Sequence, residues 1–338
     1  MESLAVKYRP RNFSEVCEQS ATKVILQQQL QSGEIKNAYL FCGGAGTGKT
    51  TCARIFANEI NKGKGTPIEL DAASNNSVDD VREIIEQSKT ASLDSEYKVF
   101  IMDEVHALSN SAWQAMLKVL EEPPVKSIFI LCTTDPHKIP KTILSRVQRY
   151  DFQMISQESV VDRMNHILEQ EDEGDRFKSD IIWTSDAIEF IARQAQGHMR
   201  DALTMLDKCL AYSDNLTLQN VLNALGVADY DVMCDLLHAY SCDNAKDMVN
   251  IINDVYMSGH DLKQFIKSFT NFVLDLNKYQ LGADDYLECP MNDRIREVFD
   301  KFSLDAVALL SSLIKLQADI KLDTNPKARI EAWCMIGE

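Results

Sequence analysis

Residues 43–50 of this 338-residue chain have the sequence Gly-Gly-Ala-Gly-Thr-Gly-Lys-Thr, between an apolar run at 38–42 and an amphipathic stretch that begins at Thr51. The small residues let backbone N–H groups converge on phosphate oxygens at the start of a helix, where the helix dipole also favours negative charge. Lys49 can then reach the β- and γ-phosphates of a nucleotide, and the Thr50 hydroxyl can bind Mg²⁺. The predicted nucleotide-binding residues are Gly43, Gly44, Ala45, Gly46, Thr47, Gly48, Lys49, Thr50 and Thr51.

The first half of the chain alternates apolar runs with helical patterns. The strand-like runs are 38–42, 68–70, 99–102 and 128–132. Such runs, separated by helices, are typical of a parallel sheet that is buried on both faces. We expect one helix to begin after Ser77, where Asp80 completes a near capping box, and a second to run from about Ser111 to Pro123.

After Phe152 the strand signal fades, and helical periodicity takes over. The acidic stretch 169–175 predicts an exposed turn between two helices. From Asp229 onward we expect only helices. One of them has apolar residues spaced along a single face, namely Leu262, Phe265, Ile266, Phe269, Phe272, Val273 and Leu276.

The charge of the chain is unevenly distributed. The formal net charge is −16, of which residues 1–155 contribute −1 and residues 156–338 contribute −15. This argues against nucleic-acid binding through bulk positive charge, so any contact with a polyanion should involve the first part. The nine cysteines form no C-x-x-C pair, which argues against zinc, and no apolar run is long enough for a membrane span. We therefore expect a cytoplasmic protein.

Two carboxylates and a hydroxyl follow the predicted strands that come after the glycine-rich loop. Asp103 and Glu104 end one apolar run, and Thr134 follows the next. The carboxyl ends of parallel strands are where such sheets bind ligands, so Asp103 is a candidate Mg²⁺ partner and Glu104 a candidate base for water. Each is also compatible with an ordinary solvated turn, and Arg146 and Arg200 are equally compatible with surface cations.

A series of short strings follows a fixed order along roughly the first 225 residues. They are Lys7-Tyr8-Arg9-Pro10, the phosphate loop, Asp71-Ala72-Ala73-Ser74-Asn75-Asn76, Asp103-Glu104-Val105-His106, Leu120-Glu121-Glu122-Pro123-Pro124, Thr133-Thr134-Asp135-Pro136, Ser145-Arg146 and Arg200-Asp201-Ala202-Leu203. Their order resembles the gamma/tau family of bacterial DNA polymerase III. That family supplies the ATPase motor of the sliding-clamp loader, and replication factor C is its eukaryotic relative. The helical remainder resembles the family's collar only in type and length.

The resemblance assigns expected roles to individual residues. Lys49 and Thr50 would bind phosphate and Mg²⁺, Asp103 the metal, and Glu104 the attacking water. Thr134 would be the first sensor, Arg200 the second sensor, and Arg146 the arginine finger that acts on the ATP of a neighbouring subunit. The residues expected near adenine are Tyr8, Arg9 and Pro10.

The sequence departs from the family pattern in three respects. The family's cysteine zinc module is replaced by the short segment 61–66, so we expect no zinc. The family's Ser-Arg-Cys is Ser-Arg-Val at 145–147, which keeps the arginine. Positions that face DNA in the family, often basic, are neutral here, so contact would depend on helix N-termini and backbone amides. These positions are Asn75, Asn76, Ser77 and Asn110.

The resemblance predicts three domains: an α/β AAA+ nucleotide domain at 1–155 with a parallel sheet, a small helical lid at 156–225 and an all-α collar at 226–338, with no tau-like extension. The expected function is that of a clamp-loader ATPase that uses ATP and Mg²⁺. Its partners would be other loader subunits, in a pentamer assembled through the collar, the sliding clamp and primer-template DNA. The compact zinc-less form suggests a phage or divergent version in a bacterial cytoplasm. The alternatives are another AAA+ motor, such as a helicase loader or branch-migration motor, and a non-hydrolysing structural subunit of the loader.

Overall fold

The computed structural model of the chain describes residues 2–173, 181–225 and 230–336. The chain divides into two compact units. The first comprises Met1–Gln170 and Ala195–Asp207, and the second comprises Glu171–Gln194 and Lys208–Glu338. The division into three domains at 155 and 225 stays a prediction.

The first unit contains a five-stranded, wholly parallel sheet. Its strands are β1 (Ala38–Gly43), β2 (Ile68–Asp71), β3 (Lys98–Asp103), β4 (Ser127–Thr133) and β5 (Gln148–Phe152). They lie in the order β2-β3-β4-β1-β5, so that β1 pairs with β4 on one side and with β5 on the other. The four predicted strands and their parallel arrangement are confirmed, and β5 is a fifth strand that the apolar runs did not predict. It is an edge strand in which only Tyr150 and Phe152 are buried, so it has no continuous apolar run.

The remaining regular structure is mainly helical. The helices are α1 (Leu4–Lys7), α2 (Ser20–Ser32), α3 (Lys49–Ile60), α4 (Val78–Ser88), α5 (Asn110–Glu121), α6 (Lys141–Leu144), α7 (Gln157–Asp172), α8 (Ser185–Ala195), α9 (Met199–Tyr212), α10 (Leu218–Leu225), α11 (Tyr230–Ser241), α12 (Ala245–Met257), α13 (Leu262–Gln280), α14 (Asp293–Lys301), α15 (Ala306–Ile320) and α16 (Pro326–Ile336). Short 3-10 turns cover Phe13–Glu15, Val105–Ala107, Pro136–Lys138 and Asp284–Tyr286. The Ser77–Asp80 capping box at the start of α4 is confirmed, as is the end of α5 just before Pro123.

Alternate residues of the inner strands pack into two separate apolar clusters. Phe100 and Phe129 belong to the cluster that contains Trp113 of α5. Phe41 belongs to the cluster that contains Phe56 of α3. Because successive side chains of a strand point to opposite faces, the sheet is covered on both faces and its strands can be apolar throughout.

The stretch 169–175 was predicted to be an exposed turn. Residues 169, 170, 172 and 173 are exposed as predicted, but the turn is wrong in its first part. Residues 169–172 continue helix α7, and Glu171 is buried. The apolar face of α7 explains this, because Ile167 and Leu168 are buried one turn before Glu171, at helical spacing. Residues 174 and 175 lie outside the described residues.

The second unit is mostly helical. Two short parallel strands, β6 (Ile182–Trp183) and β7 (Asn215–Leu216), add to the helices expected there. In the described part after residue 229 the regular elements are all helical, as predicted, and the seven apolar residues expected on one face of α13 are all buried. None of the described helices is long and apolar enough to cross a membrane.

Candidate nucleotide site

The glycine-rich loop connects the inner strand β1 to helix α3. Gly43 has a φ of +155°, and a Cβ atom there would lie 2.5 Å from the carbonyl oxygen of Phe152 on β5. Gly46 and Gly48 have φ values of +68° and +97°, which favour glycine. The Thr47 hydroxyl closes the loop by donating a hydrogen bond to the Gly44 carbonyl oxygen at 2.9 Å. The close approach of β5 therefore explains the first glycine, and backbone conformation explains the other two.

We predict that Gly43→Ala lowers nucleotide affinity by roughly tenfold or more. The new methyl group must displace the loop or the backbone of β5, and loss of one hydrogen bond from the loop to a charged phosphate costs about 1.5–3 kcal/mol. Titration with a fluorescent ATP analogue measures this. Gly33→Ala is the matched control, since Gly33 also has positive φ but has no atom within 4 Å of the added Cβ. Equal affinities in the two variants would contradict the proposed role of the contact.

Lys49, the first residue of α3, is only 5% exposed. Its Nζ donates hydrogen bonds to the carbonyl oxygens of Gly43 at 3.0 Å and Gly44 at 2.7 Å. Burial lowers the pKa of Lys49, while Glu104 and Asp103 raise it. Both acceptors are neutral, so a phosphate oxygen would be a stronger partner for this buried ammonium group.

Thr50 and Asp103 are in contact although they come from different elements. The Thr50 hydroxyl donates a hydrogen bond to Asp103 Oδ2 at 2.6 Å. A hydroxyl and a carboxylate are oxygen ligands of the kind that Mg²⁺ takes beside a nucleotide phosphate, so the pair fits that ion. Within residues 2–173, 181–225 and 230–336 no cluster of three or more His, Cys, Asp or Glu side chains is arranged to hold a metal.

Glu104 is held in an unusual backbone conformation beside the end of β4. Its φ of 49° and ψ of 41° are left-handed, which costs a non-glycine residue about 1–2 kcal/mol. Its Oε2 accepts hydrogen bonds from the Thr134 hydroxyl at 2.8 Å and the Thr134 backbone N–H at 3.3 Å. His106 Nδ1 lies 3.2 Å from the same oxygen and 3.2 Å from the Thr133 hydroxyl. The structure thus brings Glu104 and Thr134 together, as expected. His106 joins them, although no role was predicted for it. Its position on the short turn after β3 is the feature of the sequence that could have indicated it.

A cleft of about 160 Å³ opens beside the loop within the first unit. The predicted residues that line it are Tyr8, Arg9, Pro10, Gly46, Thr47, Gly48, Lys49, Thr50, Thr51 and Arg200. No role at the site was predicted for the others, which are Ala5, Val16, Cys17, Ile155, Arg163, Met199 and Leu203, although Leu203 belongs to one of the family strings. Arg163 on α7 donates a hydrogen bond from Nη2 to the Tyr8 carbonyl oxygen at 2.9 Å. Arg163 belongs to no recognisable motif, so only the fold reveals this contact.

Arg146 follows α6, is not among the lining residues of this cleft, and instead contacts Glu121 at the end of α5. Its Nη2 lies 2.6 Å from Glu121 Oε1. Asp103, Glu104 and Thr134 also do not line this cleft. The structure therefore places Arg146 beside Glu121, and its role on another chain stays a prediction.

The four residues predicted to face DNA are Asn75, Asn76, Ser77 and Asn110. Ser77 is the N-cap of α4, and Asn110 is the first residue of α5. The two helix starts are neighbours, because the Asn76 carbonyl oxygen accepts a hydrogen bond from the Ser109 backbone N–H at 3.2 Å. The capping box already uses the backbone N–H groups of Ser77 and Asp80, which leaves fewer amides at the start of α4 for phosphate.

Three protein-family models match successive parts of the chain. DNA polymerase III, delta subunit, matches residues 68–156. DNA polymerase III clamp loader subunit, ATPase lid domain, matches residues 159–215. DNA polymerase III subunits gamma and tau domain III matches residues 216–333.

Solved structures of Thermotoga maritima RuvB, described as a Holliday junction branch migration motor, match with a TM-score of 0.53 and 19% identity, over 69% of this chain and 78% of that one. At this identity the similarity concerns the fold alone, which is the AAA+ fold with its parallel sheet.

Among curated proteins, the chain is 35% identical to DNA polymerase III subunit tau of Bacillus subtilis over 350 residues, covering 96% of this chain and 61% of that protein. It is also 35% identical to the tau subunit of Escherichia coli, covering 76% of this chain and 42% of that protein. It is 30% identical to the gamma/tau subunit of Mycobacterium tuberculosis, covering 97% of this chain and 61% of that protein. The chain thus spans less than two thirds of the length of these relatives. By its sequence, the chain belongs to the gamma/tau family of DNA polymerase III subunits.

Proposed function

We propose that this chain is an ATP-hydrolysing motor subunit of a DNA sliding-clamp loader. The observation that carries the proposal is the 2.6 Å contact of Thr50 with Asp103, which brings the residue after Lys49 beside the residue before Glu104. Lys49 and Thr50 lie in the segment after β1, and Asp103 and Glu104 lie at the end of β3. The proposed phosphate, metal and base residues thus come from two strand ends that meet. Family membership connects this chemistry to DNA polymerase III.

In this proposal the loop amides and Lys49 bind the phosphates of ATP, and Thr50 and Asp103 hold Mg²⁺. When bound, Mg²⁺ neutralises charge on the β- and γ-phosphate oxygens. Lys49 is already buried and oriented by two carbonyl groups of the loop, so little reorganisation is needed to bind phosphate.

Glu104 accepts the proton of the attacking water, and Thr134 holds its carboxylate in place until then. Arg200 lies along the same cleft and contributes positive charge beside the phosphates. The segment 8–10 forms the base-binding end of the cleft, and Arg163 holds it by its bond to the Tyr8 carbonyl group. Arg146 acts on the ATP of a neighbouring subunit.

The proposed partners are other loader subunits in a five-membered assembly, the sliding clamp and primer-template DNA, in a bacterial cytoplasm. The collar at 226–338 would hold the assembly together. DNA contact would use the neighbouring starts of α4 and α5. The proposal also includes the absence of zinc, because the segment 60–67 contains neither Cys nor His.

The RuvB structures give a branch-migration motor as the second candidate, although their similarity is one of fold. A non-hydrolysing structural subunit is the third, and the complete set of Lys49, Thr50, Asp103 and Glu104 argues against it. The tau and gamma/tau relatives favour the clamp loader over both.

A clamp-loading assay tests the proposal. The protein is combined with its natural partner subunits, the clamp, ATP and primed circular DNA, and clamp retention on the DNA is measured. We expect loading that requires ATP, and branch migration without loading would favour the RuvB-like alternative.

We predict that Glu104→Gln binds ATP normally but hydrolyses it about 10²- to 10⁴-fold more slowly, because the general base is lost. Steady-state phosphate release and ATP titration measure the two properties. Glu83→Gln on the exposed face of α4 is the control and should behave as wild type. An unchanged hydrolysis rate in Glu104→Gln would contradict the role of this carboxylate.

A further inference from the structure

The ion pair between Arg146 and Glu121 connects the proposed arginine finger to the end of α5. Besides the 2.6 Å contact of Nη2 with Glu121, Nη1 donates hydrogen bonds to the Thr142 carbonyl oxygen at 2.5 Å and to the Ser145 hydroxyl at 3.0 Å. The guanidinium group is therefore held from two sides. A free arginine side chain samples many rotamers, and these three bonds select one of them.

The position of Glu121 is unfavourable for a carboxylate. Glu121 is the last residue of α5, which ends there because Pro123 cannot continue the helix. The C-terminal end of a helix carries partial negative charge, so an acidic residue is disfavoured there. The side chains of Arg146 and Glu121 are 32% and 44% exposed, and an ion pair this exposed contributes little to folding. Stability is therefore a weak explanation for the pair.

We infer that Glu121 is a positioning residue for Arg146, one that fixes the guanidinium group in the orientation in which it reaches the ATP of a neighbouring chain. The inference rests on the proposed function. A guanidinium group has five N–H donors, and the bonds seen in the described part of the chain use three of them. Two donors stay available for a phosphate oxygen of the neighbour while the group is held. An arginine oriented in advance loses less entropy when it binds the transferring phosphoryl group.

Glu122 provides a matched control for Glu121. It is the next residue, has the same side chain, is also exposed, and its backbone already lies outside the helix at the C-cap position. Among the described contacts, Arg146 is paired with Glu121 and not with Glu122. Glu121→Gln and Glu122→Gln therefore remove the same charge from the same end of α5, but only the first changes the partner of the guanidinium group.

The test is a double-mutant cycle in the complex formed with the natural partner subunits. We expect Glu121→Gln to lower kcat for ATP hydrolysis by about 10- to 100-fold, as for loss of catalytic positioning, with ATP affinity unchanged. Glu122→Gln should leave kcat within about twofold of wild type. In chains that already carry Arg146→Ala, adding Glu121→Gln should change nothing, because a residue that acts only through Arg146 has no effect once the arginine is gone. Thermal unfolding of each variant checks that it folds. Glu121→Asp, which shortens the side chain, should also lower kcat for ATP hydrolysis, though by less than Glu121→Gln.

Three results would overturn the inference. They are a wild-type rate in Glu121→Gln, a rate above wild type, and a further loss when Glu121→Gln is added to Arg146→Ala. Failure of the proposed function gives a different result, since Arg146→Ala itself would then leave hydrolysis in the complex unchanged. A loss in Arg146→Ala together with a normal rate in Glu121→Gln removes only the positioning role.

Discussion

Lys49→Ala is expected to abolish nucleotide binding or nearly so, with a loss of affinity of at least about 10²-fold. A hydrogen bond to a charged group contributes about 1.5–3 kcal/mol, and Lys49 is aimed at two phosphates. The variant also loses the bonds of Nζ to the carbonyl groups of Gly43 and Gly44, so the loop itself becomes less ordered. Equilibrium binding of a fluorescent ATP analogue measures the loss.

Lys64→Ala is a suitable control for Lys49→Ala, because Lys64 is exposed and lies in the segment after α3. It removes the same charge from the chain without touching the loop. Wild-type affinity in Lys49→Ala would contradict the assignment of residues 43–50 as the phosphate-binding loop.

Arg146→Ala is expected to bind ATP normally and to reduce hydrolysis in the adjacent subunit by roughly 10³- to 10⁵-fold, which is the effect of an arginine finger supplied by another chain. Binding is spared because Arg146 is bonded to Glu121 and Thr142 and is not among the residues that line the cleft beside the chain's own loop. The defect should therefore appear one chain away from the substitution. Titration of ATP into the isolated chain and phosphate release by the assembled complex measure the two effects.

Mixed complexes test the same prediction more directly. Complexes that combine Arg146→Ala chains with Lys49→Ala chains should recover part of the activity, because some interfaces pair an intact arginine with an intact phosphate loop. No recovery in the mixture, or weakened ATP binding by the isolated Arg146→Ala chain, would mean that Arg146 supports its own chain's structure.

Much of the nucleotide site could be predicted from local sequence, because its parts lie where strands end. Parallel strands bring their carboxyl ends to one edge of the sheet, so the loop after β1 and the carboxylates after β3 had to meet. The contact of Thr50 with Asp103 confirms that proximity. The helix that begins after Ser77 could be predicted in the same way, since a capping box is a pattern of neighbouring residues.

Other features could not be predicted, because they depend on contacts between distant residues. The carbonyl oxygen of Phe152 lies 2.5 Å from where a Cβ atom of residue 43 would be, and this crowding depends on β5. That strand was not predicted because polar residues alternate with its two buried aromatic residues. The bond of Arg163 to the Tyr8 carbonyl group joins residues 155 positions apart. Glu171 was predicted to be exposed because its segment is acidic. It is buried, because it lies at helical spacing from Ile167 and Leu168 and so continues the apolar face of α7.

The order of strands in the sheet also determines when the phosphate loop can form during synthesis. Tyr39 of β1 pairs with Ile130 of β4 on one side and with Gln148 of β5 on the other. The ribosome must therefore add about 110 further residues after β1 before both neighbours of that strand exist, which takes on the order of 5–20 s at the usual rate of synthesis. Until β4 is made, about 90 residues after β1, the apolar residues of β1 have no neighbouring strand to pair with. Until β5 is made, Gly43 lacks its contact with Phe152, and ATP has no finished loop to stabilise. The nascent chain is therefore exposed to misfolding at the segment on which its nucleotide site depends.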